Sequence, residues 1–149
     1  MVKWYRIILM EDLLMKTDKD IRTEEVVAAI IKKDHKILCT QRPNDGQYLS
    51  LKWEFPGGKI EEGESPEVAL KREIKEELDL DVKVNELFFT VDHTYPGIRL
   101  IMHAYLCDMN GDTFTLLEHN SFKWMSPSEL MTLDWAEADI PIVHKILKK

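Results

Sequence analysis

The segment Gly58–Leu80, GKIEEGESPEVALKREIKEELDL, constrains the fold of this chain more than any other. Ser65–Pro66–Glu67 opens a helix there: Ser65 can cap it, Pro66 suits the first helical position, and Glu67 favours the positive N-terminal end. Leu70, Ile74 and Leu78 recur at i+4, so the helix is expected to run to about Leu78 with an apolar stripe against a core. On an ideal helix Glu76 lies about 60° to one side of Glu73 and Glu77 about 40° to the other. Three carboxylates thus share one arc, where they repel one another unless cations intervene. A hard divalent ion relieves that repulsion, and Mg²⁺ commonly binds through a few carboxylates plus substrate phosphates. Taken alone, an E-x-x-E-E pattern is more often a solvated acidic face laced with i,i+4 ion pairs.

The surroundings shift that balance. A Gly57–Gly58 turn and an acidic loop containing Gly63 precede the helix and can bring backbone carbonyls to the same face. Arg72 is available to pair with Glu64 and hold loop against helix, while Ala69 keeps the face uncrowded. Upstream, residues 25–42 read as a β-hairpin turning at Lys33–Asp34–His35, followed by a polar loop over 43–52 and a short strand around Trp53 and Phe55. Downstream, strands are expected over Val82–His93 and Ile98–Cys107 with Tyr95–Pro96–Gly97 as the turn. Asn110–Gly111–Asp112 marks another turn, Phe122–Trp124 a short strand, Ser128–Met131 one helical turn, and a terminal helix runs from about Asp139–Pro141 to Leu147. Strands with one central and one terminal helix make an α+β layered domain.

The 58–80 segment resembles the Nudix box, G-x5-E-x7-R-E-U-x-E-E-x-G-U, where U is a bulky apolar residue. Gly58, Glu64, Arg72, Glu73, Ile74, Glu76, Glu77 and Leu80 fall in register. Asp79 departs from the pattern by standing where it has Gly. That position ends the helix in a left-handed conformation, which Asp tolerates better than most residues, so a small stability cost is expected and no loss of chemistry. The resemblance covers about residues 24–147, and the WEFPGGK string at Trp53–Lys59 looks like the MutT-type branch that acts on nucleoside triphosphates. It implies a mixed sheet held between the Nudix helix and the terminal helix. It also implies metal ligands from the Gly57 carbonyl, Glu73, Glu76 and Glu77, with Glu118 as a further ligand or base.

That resemblance implies hydrolysis of a nucleoside triphosphate to the monophosphate and pyrophosphate, with Mg²⁺ as cofactor and Mn²⁺ as a substitute. Glu76 and Glu77 are taken as principal ligands, and Glu73 as either a ligand or the general base. Gly58, Glu64 and Arg72 support the loop against the helix. Arg42 and Lys59 are the candidate phosphate contacts, a guanidinium being suited to bidentate phosphate binding; Arg42 otherwise reads as a surface residue at a strand end. Trp53 is expected to cover the site from one side. Asp139 is either a contact to the base edge or the cap of the terminal helix. An ionised Asp only accepts hydrogen bonds and so suits the N4 amino group of cytosine, although guanine edges also present donors. The A-x-A-D-I-P string looks more like the CTP pyrophosphohydrolase branch than the purine-sanitising one. Cytosine nucleotides are therefore favoured over oxidised purine triphosphates such as 8-oxo-dGTP, nucleoside diphosphate sugars, and a non-catalytic nucleotide-binding module.

Composition limits the other classes. A net charge of −7 over 149 residues argues against tracking a nucleic acid polymer, which needs clustered Lys and Arg, but leaves a small anionic nucleotide open. No apolar run approaches the ~18 residues of a membrane span. The start MVKWYRIILMEDLLMK carries Glu11 and Asp12 and no small-residue cleavage site, so a cytoplasmic protein, monomer or homodimer, is expected. Residues 1–23 read either as a variable extension, or a start upstream of the true one, or as an arm docked on the core or a partner, with the catalytic domain over 24–149. Cys39 and Cys107 read as buried small hydrophobes rather than a disulfide or metal pair. His93, His103 and His119 show no metal-ligand spacing and are expected to be structural or exposed.

Overall fold

The strand Arg22–Lys33 (β1) contains six consecutive buried residues, Val26–Ile31, an apolar run that no half-solvated strand would carry. It is the axis of the fold. The computed structural model describes residues 21–148; residues 1–20 of the expected N-terminal extension lie outside them. Alternation along β1 sends Val26, Ala28 and Ile30 to one core and Val27, Ala29 and Ile31 to another on the opposite face.

Asp34 and His35, with φ of 51° and 66°, make a left-handed two-residue turn into β2 (Lys36–Gln41). The two strands pair only at Lys32↔Ile37 and Lys33↔Lys36, then part. Into the gap go β3 (Trp53–Glu54), paired to β2, and β4 (Gly57–Lys59), paired to β1 at Val26, Val27 and Ala28. The Ala29 N–H donates to the Pro56 carbonyl and completes the seam. The WEFPGGK string is thus threaded through the middle of the sheet.

Helix α1 (Pro66–Leu78) follows, then β5 (Val82–Tyr95), β6 (Ile98–Met109), β7 (Ser121–Met125), two 3-10 turns at Pro127–Thr132 and Glu137–Asp139, and α2 (Ile140–Leu147). The sheet runs β3-β2-β1-β6-β5, with β4 on β1 and β7 on β2. β1 and β6 are parallel from Arg22↔Ile98 to Lys32↔Asp108, whereas the other pairs are antiparallel. One face is covered by Ala69, Leu70, Ile74 and Leu78 of α1, the other by Ile142, Val143 and Ile146 of α2. The layered α+β sandwich is therefore the architecture observed. Breaks in register between Val84 and Phe89 turn both Phe88 and Phe89 toward the α2 core.

Cys39 and Cys107 are free and lie in opposite cores, and burial pushes both thiols up to about 12. Among the described residues, no helix is long and apolar enough to cross a membrane.

Candidate active site

Helix α1 starts and stops as its sequence dictates. Ser65 Oγ accepts the Val68 N–H at 3.2 Å, Pro66 occupies the first turn, and Asp79 ends the helix in the left-handed region at φ 49°. The Asp79 N–H reaches the Lys75 carbonyl at 3.0 Å, and Lys75 Nζ lies 3.2 Å from the Asp79 carboxylate. Asp thus does the work expected of Gly there. The buried face of α1 carries Glu73 and Glu77 beside its apolar stripe, both fully enclosed, while Glu76 is 38% exposed at the rim.

Enclosed carboxylates need partners. Arg72 meets Glu73 at 2.8 Å and Glu64 through two bonds of 2.7 Å, donates to the Lys59 carbonyl at 3.0 Å, and lies 3.6 Å from Glu76. One guanidinium therefore clamps the acidic loop, β4 and the glutamate face of α1. Its bonds to Glu64 hold that carboxyl down to about 2. Glu73 packs so closely on Gly58 that a Cβ there would stand 2.4 Å from its carboxyl carbon. Gly57 is pressed against the other neighbour, where a Cβ would fall 1.9 Å from the Val27 carbonyl oxygen.

The loop after β6 is fastened to the end of α1. Thr115 N–H donates to the Leu78 carbonyl and Leu117 N–H to the Glu77 carbonyl, at 2.8 and 2.9 Å, using carbonyls that the helix leaves unpaired at its C-terminus. Half-buried Glu118 and buried His119 are carried to the Glu77 side by these bonds. His119 Nε2 stands 3.0 Å from Glu54 Oε2 and 3.8 Å from Glu77 Oε1. The donor atoms of Glu54, Glu77 and His119 all lie within 4.8 Å of one another. Neither Glu54 nor His119 is among the residues expected from sequence. Glu54 was legible: strand alternation turns it away from Trp53 and Phe55, onto the α1 side. His119 carried no such signal, since its neighbours are distant in the chain; it is buried and not exposed.

Two residues lie deeper than their places in the chain suggest. Arg42 is not the surface residue that a strand end implies; it is wholly buried, with Nε 3.8 Å from Glu54 Oε1. Asp139 precedes α2 but caps nothing; it is 1% exposed, and its Oδ1 accepts the Phe55 N–H at 3.0 Å. Burial, reinforced by nearby Glu54 and only partly offset by Phe55 N–H and Arg42, raises its carboxyl well above the usual range. Tyr95 fixes the same corner, its hydroxyl accepting the Ala138 N–H at 2.9 Å. The 43–52 loop lies against it: Tyr48 is edge-on to Tyr95 and donates to Glu137 at 3.4 Å. Lys59 is partly exposed and 3.3 Å from Glu24. Trp53 is buried in the α2-side core with Lys123 Nζ 5.4 Å from its ring centre.

The chain's residues 22–146 match the model of the NUDIX domain. The chain belongs to the NUDIX family. It is 40% identical over 124 residues to the CTP pyrophosphohydrolase of Escherichia coli strain K12, covering 83% of this chain and 90% of that one. It is 32% identical over 132 residues to the 8-oxo-dGTP diphosphatase of Haemophilus influenzae, covering 87% and 96%. The solution structure of the Nudix hydrolase MutT from methicillin-resistant Staphylococcus aureus 252 superposes with a TM-score of 0.70 at 44% identity, covering 86% of this chain and 98% of that chain. This Nudix hydrolase is accordingly an acid anhydride hydrolase, and its carboxylate-rich face suits a divalent cation. The fit is chemical: enclosed oxygen donors on Glu73 and Glu77 and rim-exposed Glu76 share one helix face, with Arg72 paired to Glu73 and Glu76.

Proposed function

We propose that this Nudix hydrolase cleaves a cytosine nucleoside triphosphate to the monophosphate and pyrophosphate, with Mg²⁺ held by Glu73, Glu76, Glu77, Glu118 and the Gly57 carbonyl. When bound, the ion supplies positive charge to the phosphoryl oxygens and acidifies water. The protein's own part is positional. Arg72 locks the acidic loop and Glu73 into one unit, Gly58 removes the side chain that would displace Glu73, and Glu76 faces the rim where a triphosphate can approach. Lys59, beside that rim, is the phosphate contact we retain.

The observation that carries the choice of base is Asp139. Burial raises its carboxyl above the usual carboxylate range, the direction that favours the neutral acid, and Oδ1 accepts the Phe55 N–H at 3.0 Å, which leaves Oδ2 as the oxygen open to a base. An O–H at this position donates to N3 of cytosine, whereas N1 of guanine bears a hydrogen of its own. A neutral carboxyl donates at this position, where an ionised Asp would only accept. The CTP specificity in the name of the Escherichia coli relative points the same way. Because Asp139 is enclosed, a base reaches it by displacing what covers it; the 43–52 loop, tied to Glu137 by one long bond from Tyr48, is the segment set against that corner.

The test is a panel of nucleotides with Mg²⁺: CTP, dCTP, methylated cytosine nucleotides, GTP, 8-oxo-dGTP and ATP, the last because adenine N1 is also an acceptor. The highest kcat/KM is expected for a cytosine nucleotide, with pyrophosphate as product. A profile led by 8-oxo-dGTP would move the chain to the purine-sanitising reading.

A further inference from the structure

We propose that His119 is the positioning residue of Glu77, acting through an Nε2–H directed between Glu54 and Glu77; the proposal rests on Glu77 being a working carboxylate of the site. The imidazole is enclosed, and both acids approached by Nε2 are acceptors, at 3.0 Å for Glu54 and 3.8 Å for Glu77. The ring proton is therefore assigned to Nε2. Glu54 is backed on its other oxygen by Arg42 Nε at 3.8 Å, so a buried line runs Arg42, Glu54, His119, Glu77, from the end of β2 through β3 and the loop to α1.

Two observations separate this role from simple loop anchoring. First, the loop is already held without the ring: Asn120 N–H donates to the Gln41 carbonyl at 2.9 Å and Asn120 Nδ2 to Gln41 Oε1 at 2.8 Å, in addition to the Thr115 and Leu117 bonds to α1. Second, the other ring nitrogen, Nδ1, is buried and has no hydrogen-bond partner among the described residues. Burying a polar nitrogen without a partner costs stability, so a side chain chosen only to fill this space would be apolar. What histidine adds is the Nε2–H. Two enclosed carboxylates facing each other repel, and the imidazole N–H, bonded to Glu54 at 3.0 Å with Glu77 3.8 Å away, sets a positive dipole between them. Polar groups behind a metal-binding carboxylate tune its aim and the affinity of the site.

The experiment compares His119→Gln, whose amide nitrogen falls near the Nε2 position, with His119→Asn, whose amide falls near Nδ1. Mn²⁺ affinity is measured by paramagnetic titration without nucleotide, kcat and KM with CTP and Mg²⁺, and folding by circular dichroism and thermal melting. His119→Asn is expected to weaken Mn²⁺ binding and lower kcat by roughly 10-fold or more with KM little changed, while His119→Gln recovers most of both. Asn120→Ala should lower the melting temperature without altering Mn²⁺ affinity. Should His119→Asn not fold, His119→Phe keeps the ring volume without the N–H and takes its place. Equal behaviour of the Gln and Asn variants overturns the proposal. Glu77→Gln in the same assays tells the two readings apart: if it loses Mn²⁺ affinity and turnover while His119→Asn loses neither, only the role of His119 falls; if Glu77→Gln itself behaves as wild type, the reading of the site falls with it.

Discussion

The carboxyl group of Glu73 rests on the bare Cα of Gly58, in a space where a Cβ would come within 2.4 Å of it, while Arg72 grips the same carboxyl at 2.8 Å from the other side. Gly58→Ala is expected to displace Glu73 and cut turnover while the fold persists, because the clash is with a side-chain end. At Gly57 the obstacle is backbone, the Val27 carbonyl at 1.9 Å, so Gly57→Ala should part β4 from β1 and cost about 1–3 kcal/mol of stability, as overpacking does. Parallel melting and activity measurements check the contrast; a Gly58→Ala enzyme with normal kcat would show that Glu73 can work from elsewhere.

Glu77→Gln keeps the volume of the enclosed side chain and an acceptor for His119, but removes the negative charge. Folding should therefore be retained and kcat should fall by at least on the order of 10²-fold, the scale seen when electrostatic stabilisation of a phosphoryl or acyl transition state is removed. Near-normal turnover with Mg²⁺ would remove Glu77 from the chemistry.

Much of this arrangement was legible in the chain. Helix α1 could be placed from Ser65 to about Leu78 because its cap, first-turn proline and i+4 stripe are local signals, while the αL position of Asp79 was implied by the resemblance to the Nudix box, which has Gly there. The environments of Arg42 and Asp139 were not legible, because both depend on the parting of β1 and β2 and the insertion of residues 53–59, a non-local event. A strand-end arginine and a residue before a proline-started helix look exposed in sequence; here the inserted β3 brings Glu54 to one and the Phe55 N–H to the other. His119 shows the same limit, since its partners lie 65 and 42 positions away in the chain.

The Arg72–Glu64 pair has a pH signature. Glu64 is held down to about 2 in the folded protein, from an ordinary value of 4.5, so its contribution to stability is present above about 4.5 and is lost as pH falls toward 2. Glu64→Gln should lower the melting temperature by a constant amount at pH 5–8. The difference from wild type should then shrink as the pH is taken down through that window. A difference that does not change with pH would mean that Glu64 acts through packing and not through its charge.

Asp139 has the opposite sign. Its folded pKa is raised above the ordinary 3.8, so the stability it contributes is complete below that value and is lost as pH rises through the folded pKa. Asp139→Asn keeps an acceptor for the Phe55 N–H and a donor in place of the Oδ2 proton, without a charge to desolvate. The variant should therefore melt above wild type at neutral and alkaline pH, and the gap should narrow on acidification. The same substitution bears on the base. In wild type the ratio of kcat/KM for CTP to that for GTP should fall as pH rises, because the ionised carboxylate loses its donor and gains affinity for guanine N1–H. Ionisations shared by the two reactions, including those of the glutamate face, cancel in that ratio. In Asp139→Asn the ratio should stay level across pH, since the amide donor does not titrate; a ratio that falls equally in both proteins would take Asp139 out of base recognition.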